Sequence, residues 1–308
     1  MLFFSRLKSF FSKVYAKLVL LLFGKKYYKK KQLEKEWKYY KKNNKDICDE
    51  IEKNTQFKDK YKGERCFILG NGPSLKSQDL TLLENEYVFT VNLITKHADY
   101  EKIKTNFHFF ADPIFFNLKK DNPADMDVLA QMKKINTKDN KPEVFFIQEG
   151  FEFAKEYELQ KTLNLHFYAH RSTVIEKNEE DFDGAKMIPY ASTVVSYPIM
   201  MAMYMGFSEI YLLGCDCTTI QTVINTKMDC GEALYGYALD DNERLRMKKI
   251  SDLKSMEFEF MLNHTMFKTY RLLYEYAKKR NIKFYNCTHG GLLDCVPRLK
   301  YEDVIKKH

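Results

Sequence analysis

From residue 64 onward, strand-length apolar runs alternate with segments of helical periodicity, and each run stops on a polar residue. The runs CFILGNG, YVFTVN, FHFFAD, EVFFIQE, EIYLLGCD and IKFYN lead to Asn71, Asn92, Asp112, Glu149, Asp216 and Asn286. Unbroken apolar runs suit strands buried on both faces, and the helical segments between them supply the crossovers that parallel strands need. The pattern predicts an α/β fold, a Rossmann-like and mostly parallel sheet with helices on both faces. In such open sheets ligands sit outside the carboxyl ends of the strands, so the polar row is expected to outline one site. Each of these side chains alone is explained as well by a helix cap or an Asx turn. Their recurrence at successive strand ends is what points to a site.

The first run carries the sharpest local signal. In FILGNGPSLK, Gly70 and Gly72 let the backbone turn tightly and approach a ligand without a Cβ in the way. Ser74 and the amides after it are expected to face an anion at a helix start, the phosphate of a nucleotide. The spacing G-N-G-P-S-L matches neither the P-loop nor the dinucleotide fingerprint.

The sequence divides into a basic arm (1–45), a linker or helix (46–63), a nucleotide-binding domain (64–216 and 262–308) and an inserted lid (217–261). The lid lacks strand signals and carries DDNERLRMKK. In the arm, Phe3, Leu7, Phe10, Phe11, Val14, Leu18, Leu21 and Leu22 recur at helical spacing opposite Arg6, Lys8, Lys13 and Lys17. The apolar stretch Leu18 to Phe23 falls far short of the roughly 20 residues that span a bilayer, and no cleavage site follows it. Residues 1–45 hold fourteen Lys or Arg against two Glu, while the whole chain has a net charge of +8, so the remainder is acidic. This asymmetry favours peripheral attachment to the anionic, cytoplasmic face of the inner or plasma membrane over nucleic-acid binding. A helix docked on the protein's own body is the alternative. Seven cysteines without paired CxxC spacing are expected to be reduced thiols in a cytosolic protein, with no metal site.

GNGPSL, VFTVN, FADPIFF, STVVSYPIMMAMYMGFSEIYLLGCD and NHTMFKTYRLLYEYAKKRNIKFYN follow one another in an order and spacing that resemble the bacterial family 42 sialyltransferases. They also resemble a broader family sharing the GNGPSL signature. The likeness covers residues 64–297. It implies a GT-A-variant nucleotide-sugar domain with a lid, and an inverting sialyltransferase that moves sialic acid from CMP-sialic acid to a glycan hydroxyl. It also implies no metal, no resident cofactor and a place in lipooligosaccharide or capsule synthesis. A homo-oligomer is compatible with it.

Carried onto this sequence, the resemblance implies that Asn71 and Asn92 contact the nucleotide. Ser192 and Thr193 would lie near the donor's carboxylate or phosphate, Gly214 would approach the base, and His264 would be the general base. Asn263 or Thr265 could cap a helix there, and a histidine at a helix N-terminus is biased toward the neutral form that a base needs. Two departures stand out. Asp112 replaces an asparagine and brings a negative charge toward the donor. Thr218 and the neighbourhood of Ile224 replace two tyrosines that hold the leaving phosphate, leaving Tyr235 and Tyr237 as substitutes by residue type only. Three other readings remain: a pterin pyrophosphokinase using ATP and Mg²⁺, an activity found among relatives of the broader family; a metal-dependent transferase using another nucleotide sugar, with Asp125–Asp127 or Asp181–Asp183 as its Asp-x-Asp; and a non-catalytic nucleotide-binding adaptor.

Overall fold

The computed structural model describes residues 2–137, 141–177, 182–228, 230, 235–241, 244, 245, 248, 252 and 254–306, with side chains from residue 20 onward except Thr137. The chain forms two compact units, residues 1–49 and 50–308. In the first, helix α1 (Leu2–Asn43) is interrupted at Gly24, whose φ of 77° and ψ of 169° break the helical path. The side chains of residues 1–19, which carry most of the arm's amphipathic pattern, lie outside the described residues. Leu21, Leu22 and Phe23 are exposed. Among the described residues no helix is long and apolar enough to cross a membrane. Helix α2 (Lys45–Glu52) leads into the second unit.

That unit is built on eight strands: β1 (Arg65–Leu69), β2 (Tyr87–Val91), β3 (Phe107–Phe110), β4 (Glu143–Ile147), β5 (Asn164–Val174), β6 (Met187–Tyr190), β7 (Glu209–Leu213) and β8 (Lys283–Asn286). They lie in the order β6-β5-β4-β3-β2-β1-β7-β8, and every pair is parallel. The helices are α3 (Pro123–Lys134), α4 (Gly150–Glu156), α5 (Ser196–Met205), α6 (Thr219–Lys227), α7 (Met256–Lys279) and α8 (Tyr301–Ile305). The Rossmann-like parallel α/β architecture expected from the sequence is the observed one. Two strands had no apolar run to announce them. β5 mixes His, Arg and Ser into its apolar residues, and β6 is four residues long and holds Pro189, which an edge strand tolerates because its outer N–H side needs no partner.

Side chains alternate between two cores. Ile68, Phe89, Phe109, Phe145 and Leu212 face one side with residues of α5 and α7, whereas Phe67, Leu69, Val88 and Leu213 face the other with 3-10 turns and α8. Both faces are buried, which is why the strands read as unbroken apolar runs. Register places Phe89 against Phe107 and Phe109 against Phe145, with ring centroids 4.4 and 4.6 Å apart. Such pairs add roughly 0.5–1.5 kcal/mol each to the burial of the rings.

The chain runs outward from β1 to β6, then returns to place β7 on the other side of β1. The strand order thus reverses at β1, and a crevice opens at the carboxyl ends of β1, β2 and β7. The expected lid boundary is displaced: α7 starts at Met256, capped by Ser255 Oγ accepting from the Phe258 amide at 3.2 Å, so residue 261 falls inside a helix.

Candidate functional site

A cavity of about 340 Å³ fills this crevice. Its floor is the β1–β7 junction. Past the strand ends the two chains stay joined, with the amides of Gly70 and Gly72 donating to Leu213 O and Gly214 O, both at 2.8 Å. An ideal Cβ on Gly70 would lie 2.4 Å from Gly214 O, and one on Gly72 would lie 1.9 Å from Asp216 Oδ2. Glycine is required at both positions by this approach of the β7 loop. Gly214 turns with φ of 60°.

The expected anion position at Ser74 is filled by the protein. Ser74 Oγ donates to Asp216 Oδ2 at 2.8 Å and its amide donates to Asp216 Oδ1 at 3.3 Å. The segment is also a single 3-10 turn, Pro73–Ser77, and not the start of a longer helix. Asp216 is 5% exposed; burial pushes its carboxyl above the ordinary range, and the Ser74 hydrogen bonds oppose that rise. Arg298 braces the adjoining loop by donating to the carbonyls of Thr288, Gly291 and Leu293 at 3.0–3.1 Å. That loop in turn donates from the Leu292 amide to Asp216 O at 2.7 Å.

Four of the six strand-end residues line the cavity: Asn71, Asn92, Asp112 and Asp216. Asn71 donates from Nδ2 to Val91 O at 3.0 Å, and its Oδ1 has no partner in the protein. Asn92, in the left-handed region at φ of 47°, likewise keeps its Oδ1 unpartnered. Asp112 is exposed and accepts from the Ile114 amide at 3.1 Å, capping the turn Pro113–Phe116. The other two serve elsewhere. Asn286 is fully buried and spends its amide on Leu293 O and the Thr288 amide, while Glu149 lies outside the cavity lining.

The opposite wall is made of hydroxyls, and those of α6 and Tyr270 were not singled out by the sequence. Thr219, Thr222 and Thr226 of α6, with Thr218 before it, line the cavity together with Thr193 and Tyr270. Tyr270 is hydrogen-bonded to Thr193, and burial raises its phenol. Lys254 is the one cationic side chain among the described lining residues, facing Glu259 at 3.8 Å. Tyr235 and Tyr237 close the roof on a strap, residues 235–241. The Gly236 amide of this strap donates to Asn71 O at 2.8 Å. Lys96 Nζ, 2.8 Å from Asp127 and 3.1 Å from Asp240, ties the strap's far end to α3.

Gly70, Asn71, Gly72, Asn92, Asp112, Thr193, Gly214, Tyr235 and Tyr237 are thus brought together around one cavity. Ser74 lies beneath it through Asp216. Ser192 donates instead to Leu262 O at 3.1 Å, joining the β6–α5 loop to α7. His264 is exposed and is not among the lining residues. It sits about two turns inside α7 and not at a helix start, so the helix-terminus argument does not hold for it. Asn263 and Thr265 donate back to Glu259 O and Met261 O and do not cap. Of the Asp-x-Asp candidates, Asp125 and Asp127 lie on α3, with Asp127 holding Lys96; Asp181 lies outside the described residues.

A doubly wound parallel sheet with a glycine-floored cavity at its reversal of strand order has that cavity where open α/β folds hold their ligands. The sequence profile of the family described as 6-hydroxymethylpterin diphosphokinase MptE-like matches residues 38–222. That is more than half of the chain, which belongs to this family. The match takes in the floor of the cavity and stops before the strap and α7. No curated protein matches the chain. Among solved structures, a MAf glycosyltransferase from Magnetospirillum magneticum AMB-1 superposes with a TM-score of 0.43 at 13% identity, over 83% of this chain and 39% of that one. This chain therefore corresponds to well under half of that protein's length.

Proposed function

We propose that the protein is a transferase that binds a nucleotide-activated donor in the β1–β7 cavity and passes the activated group to a hydroxyl. The observation that carries this is the polarity of the cavity. On the strand-end side stand acceptors, namely the unpartnered Asn71 and Asn92 oxygens and the Asp112 carboxylate. These call for the hydroxyl and amino donors of a nucleoside, since a buried acceptor left unmade costs about 1–3 kcal/mol. On the α6 and strap side stand threonine and tyrosine hydroxyls, of which Thr226 Oγ1 donates to Thr222 O at 2.8 Å, and the Lys254 ammonium, a cation suited to a phosphate.

Charge favours a donor with few negative charges. The described lining holds Asp112, Asp216 and Glu259 against one lysine, a setting that opposes a triphosphate with roughly four negative charges unless a cation comes with it. A nucleoside monophosphate ester of a sugar suits it better, and CMP-sialic acid is the first candidate, with glycosyl transfer as the reaction. The second reading is transfer of diphosphate from ATP to a pterin, favoured by the family's description. It would need Mg²⁺, for which Asp112 is the carboxylate open to the cavity. Thermal shift with CMP, CMP-sialic acid and ATP, each with and without Mg²⁺, tests both readings, because a ligand that binds the native state stabilises it, and more so the tighter it binds. Stabilisation by CMP without metal supports glycosyl transfer. A response confined to ATP with Mg²⁺ replaces it with diphosphate transfer, and no response to any nucleotide removes both.

For the arm we propose peripheral attachment to anionic lipid. The exposed Leu21, Leu22 and Phe23 beside Lys25 and Lys26 offer the apolar and cationic parts that an interfacial helix uses. Full-length protein should sediment with phosphatidylglycerol vesicles, less so in high salt, and protein lacking residues 1–45 should not.

A further inference from the structure

The carboxyl edge of the sheet continues beyond the cavity, and over β4, β5 and β6 it carries a second group of polar side chains. Register pairs Phe110 with Phe146 and Ile147 with Tyr168, which brings Asp112, Glu149 and His170 to nearly one level above the sheet. His170 is held in a defined state. Its Nδ1 lies 2.9 Å from Arg171 O, and because a carbonyl oxygen only accepts, Nδ1 carries the hydrogen. The lone pair of the neutral ring is then on Nε2. That nitrogen is 3.9 Å from Glu149 Oε1, too far for a hydrogen bond. The ring packs edge-on against Tyr190 at 5.2 Å and lies tilted against Tyr197 at 6.2 Å, and it remains 18% exposed.

Tyr190 links this group to the cavity. Its ring packs on His170 and its chain leads directly into the cavity wall. Thr193 and Val194, in the loop that follows Tyr190, line the cavity as well. One ring nitrogen fixed by a carbonyl and the other free is the arrangement that prepares a histidine to accept a proton.

We propose that His170 is the general base of the transfer, acting on an acceptor hydroxyl bound over the carboxyl ends of β4, β5 and β6. The inference rests on the transferase reading of the cavity and holds for a sugar or a pterin acceptor, since both present a hydroxyl. The acceptor O–H bond breaks and its proton goes to Nε2. The acceptor oxygen bonds to the donor's electrophilic centre, an anomeric carbon or a phosphorus. The bond from that centre to the nucleotide phosphate oxygen breaks, and its electron pair leaves on the phosphate. Glu149 faces the resulting imidazolium, which later returns its proton to water.

Two measurements test this. With CMP-sialic acid and lactose, or Mg²⁺-ATP and 6-hydroxymethyl-dihydropterin, His170→Gln should lower transfer by about 10²–10⁴-fold while CMP or ATP still raises the melting temperature as in wild type. His264→Gln should transfer at close to the wild-type rate. A His170→Gln protein that transfers normally overturns the proposal. The second measurement needs no substrate: diethyl pyrocarbonate should modify His170 of the native full-length protein at pH 7, as it does any accessible unprotonated imidazole. A His170 that stays unmodified while exposed His264 reacts also overturns it, because an Nε2 closed to reagent is closed to an acceptor. Failure of wild-type protein to bind any nucleotide would count against the transferase reading itself and is read separately from both results.

Discussion

The floor and the roof of the cavity are built by opposite means. The floor is backbone against backbone: Gly70 and Gly72 donate to the chain leaving β7, and Asp216 is locked beneath them by Ser74. The roof is a short strap outside the sheet, whose ties include the Gly236 amide to Asn71 O and the ion pair through Lys96. A floor of this kind has one shape, whereas a strap that belongs to no strand of the sheet can move without disturbing it. Recognition is therefore invested in the floor and access in the strap.

The largest effect should come from giving the floor a single methyl group. Gly72→Ala places a Cβ 1.9 Å from Oδ2 of Asp216, which must give up its bonds to Ser74, and 2.7 Å from the backbone oxygen of Gly214, so the β1 and β7 loops must shift apart. A loss of about 2–4 kcal/mol in chemical denaturation is expected, together with loss of nucleotide binding. Gly236→Ala sharpens the contrast, because its Cβ would lie 2.8 Å from Gly72 O but on the movable strap. It should weaken nucleotide binding and leave the denaturation midpoint near wild type. Equal costs for the two variants would erase the distinction between floor and roof.

A smaller effect is expected from the charge beneath the floor. Burial raises the folded-state pKa of Asp216 above its ordinary 3.8, so across that window the native state binds more protons than the unfolded chain. Stability then falls as pH rises from the ordinary value through the raised one, and is flat beyond it. Asp216→Asn removes the titration while keeping an acceptor for Ser74. The difference in stability between wild type and variant should therefore change with pH in that range and become constant above it. A constant difference throughout would show that Asp216 titrates as in the unfolded chain.

The same contrast governs how far the sequence could be read. The floor was legible, because Gly70 and Gly72 interrupt an apolar run at the point where a buried strand must end. The role of Asp216 was not, since it depends on β7 lying beside β1, a pairing across more than a hundred residues that no local pattern announces. β5 and β6 were missed because the sheet's outer edge carries polar side chains, His170 among them, that break the apolar signal. The expectation of a helix start near His264 came from the resemblance. Ser255 followed by Glu257 and Glu259 in the first turn is a start signal present in the sequence itself.

The smallest expected effect falls on the latch of the strap. Lys96 is 10% exposed, but its partners Asp127 and Asp240 are 42% and 54% exposed, so solvent screens much of the attraction. Lys96→Ala should cost less than about 1 kcal/mol, near the limit of a denaturation measurement. Its consequence should appear in the motion of the strap: faster limited proteolysis near residues 235–241 and a several-fold weaker affinity for whichever nucleotide the wild type binds. The two carboxylates separate the explanations. Asp240→Asn cuts only the link to the strap and should reproduce the proteolysis and affinity changes of Lys96→Ala. Asp127→Asn leaves Lys96 attached to Asp240 and should have the weaker effect. If Asp127→Asn matches Lys96→Ala and Asp240→Asn is silent, the ion pair anchors α3 to the β2 loop and is not a latch of the roof.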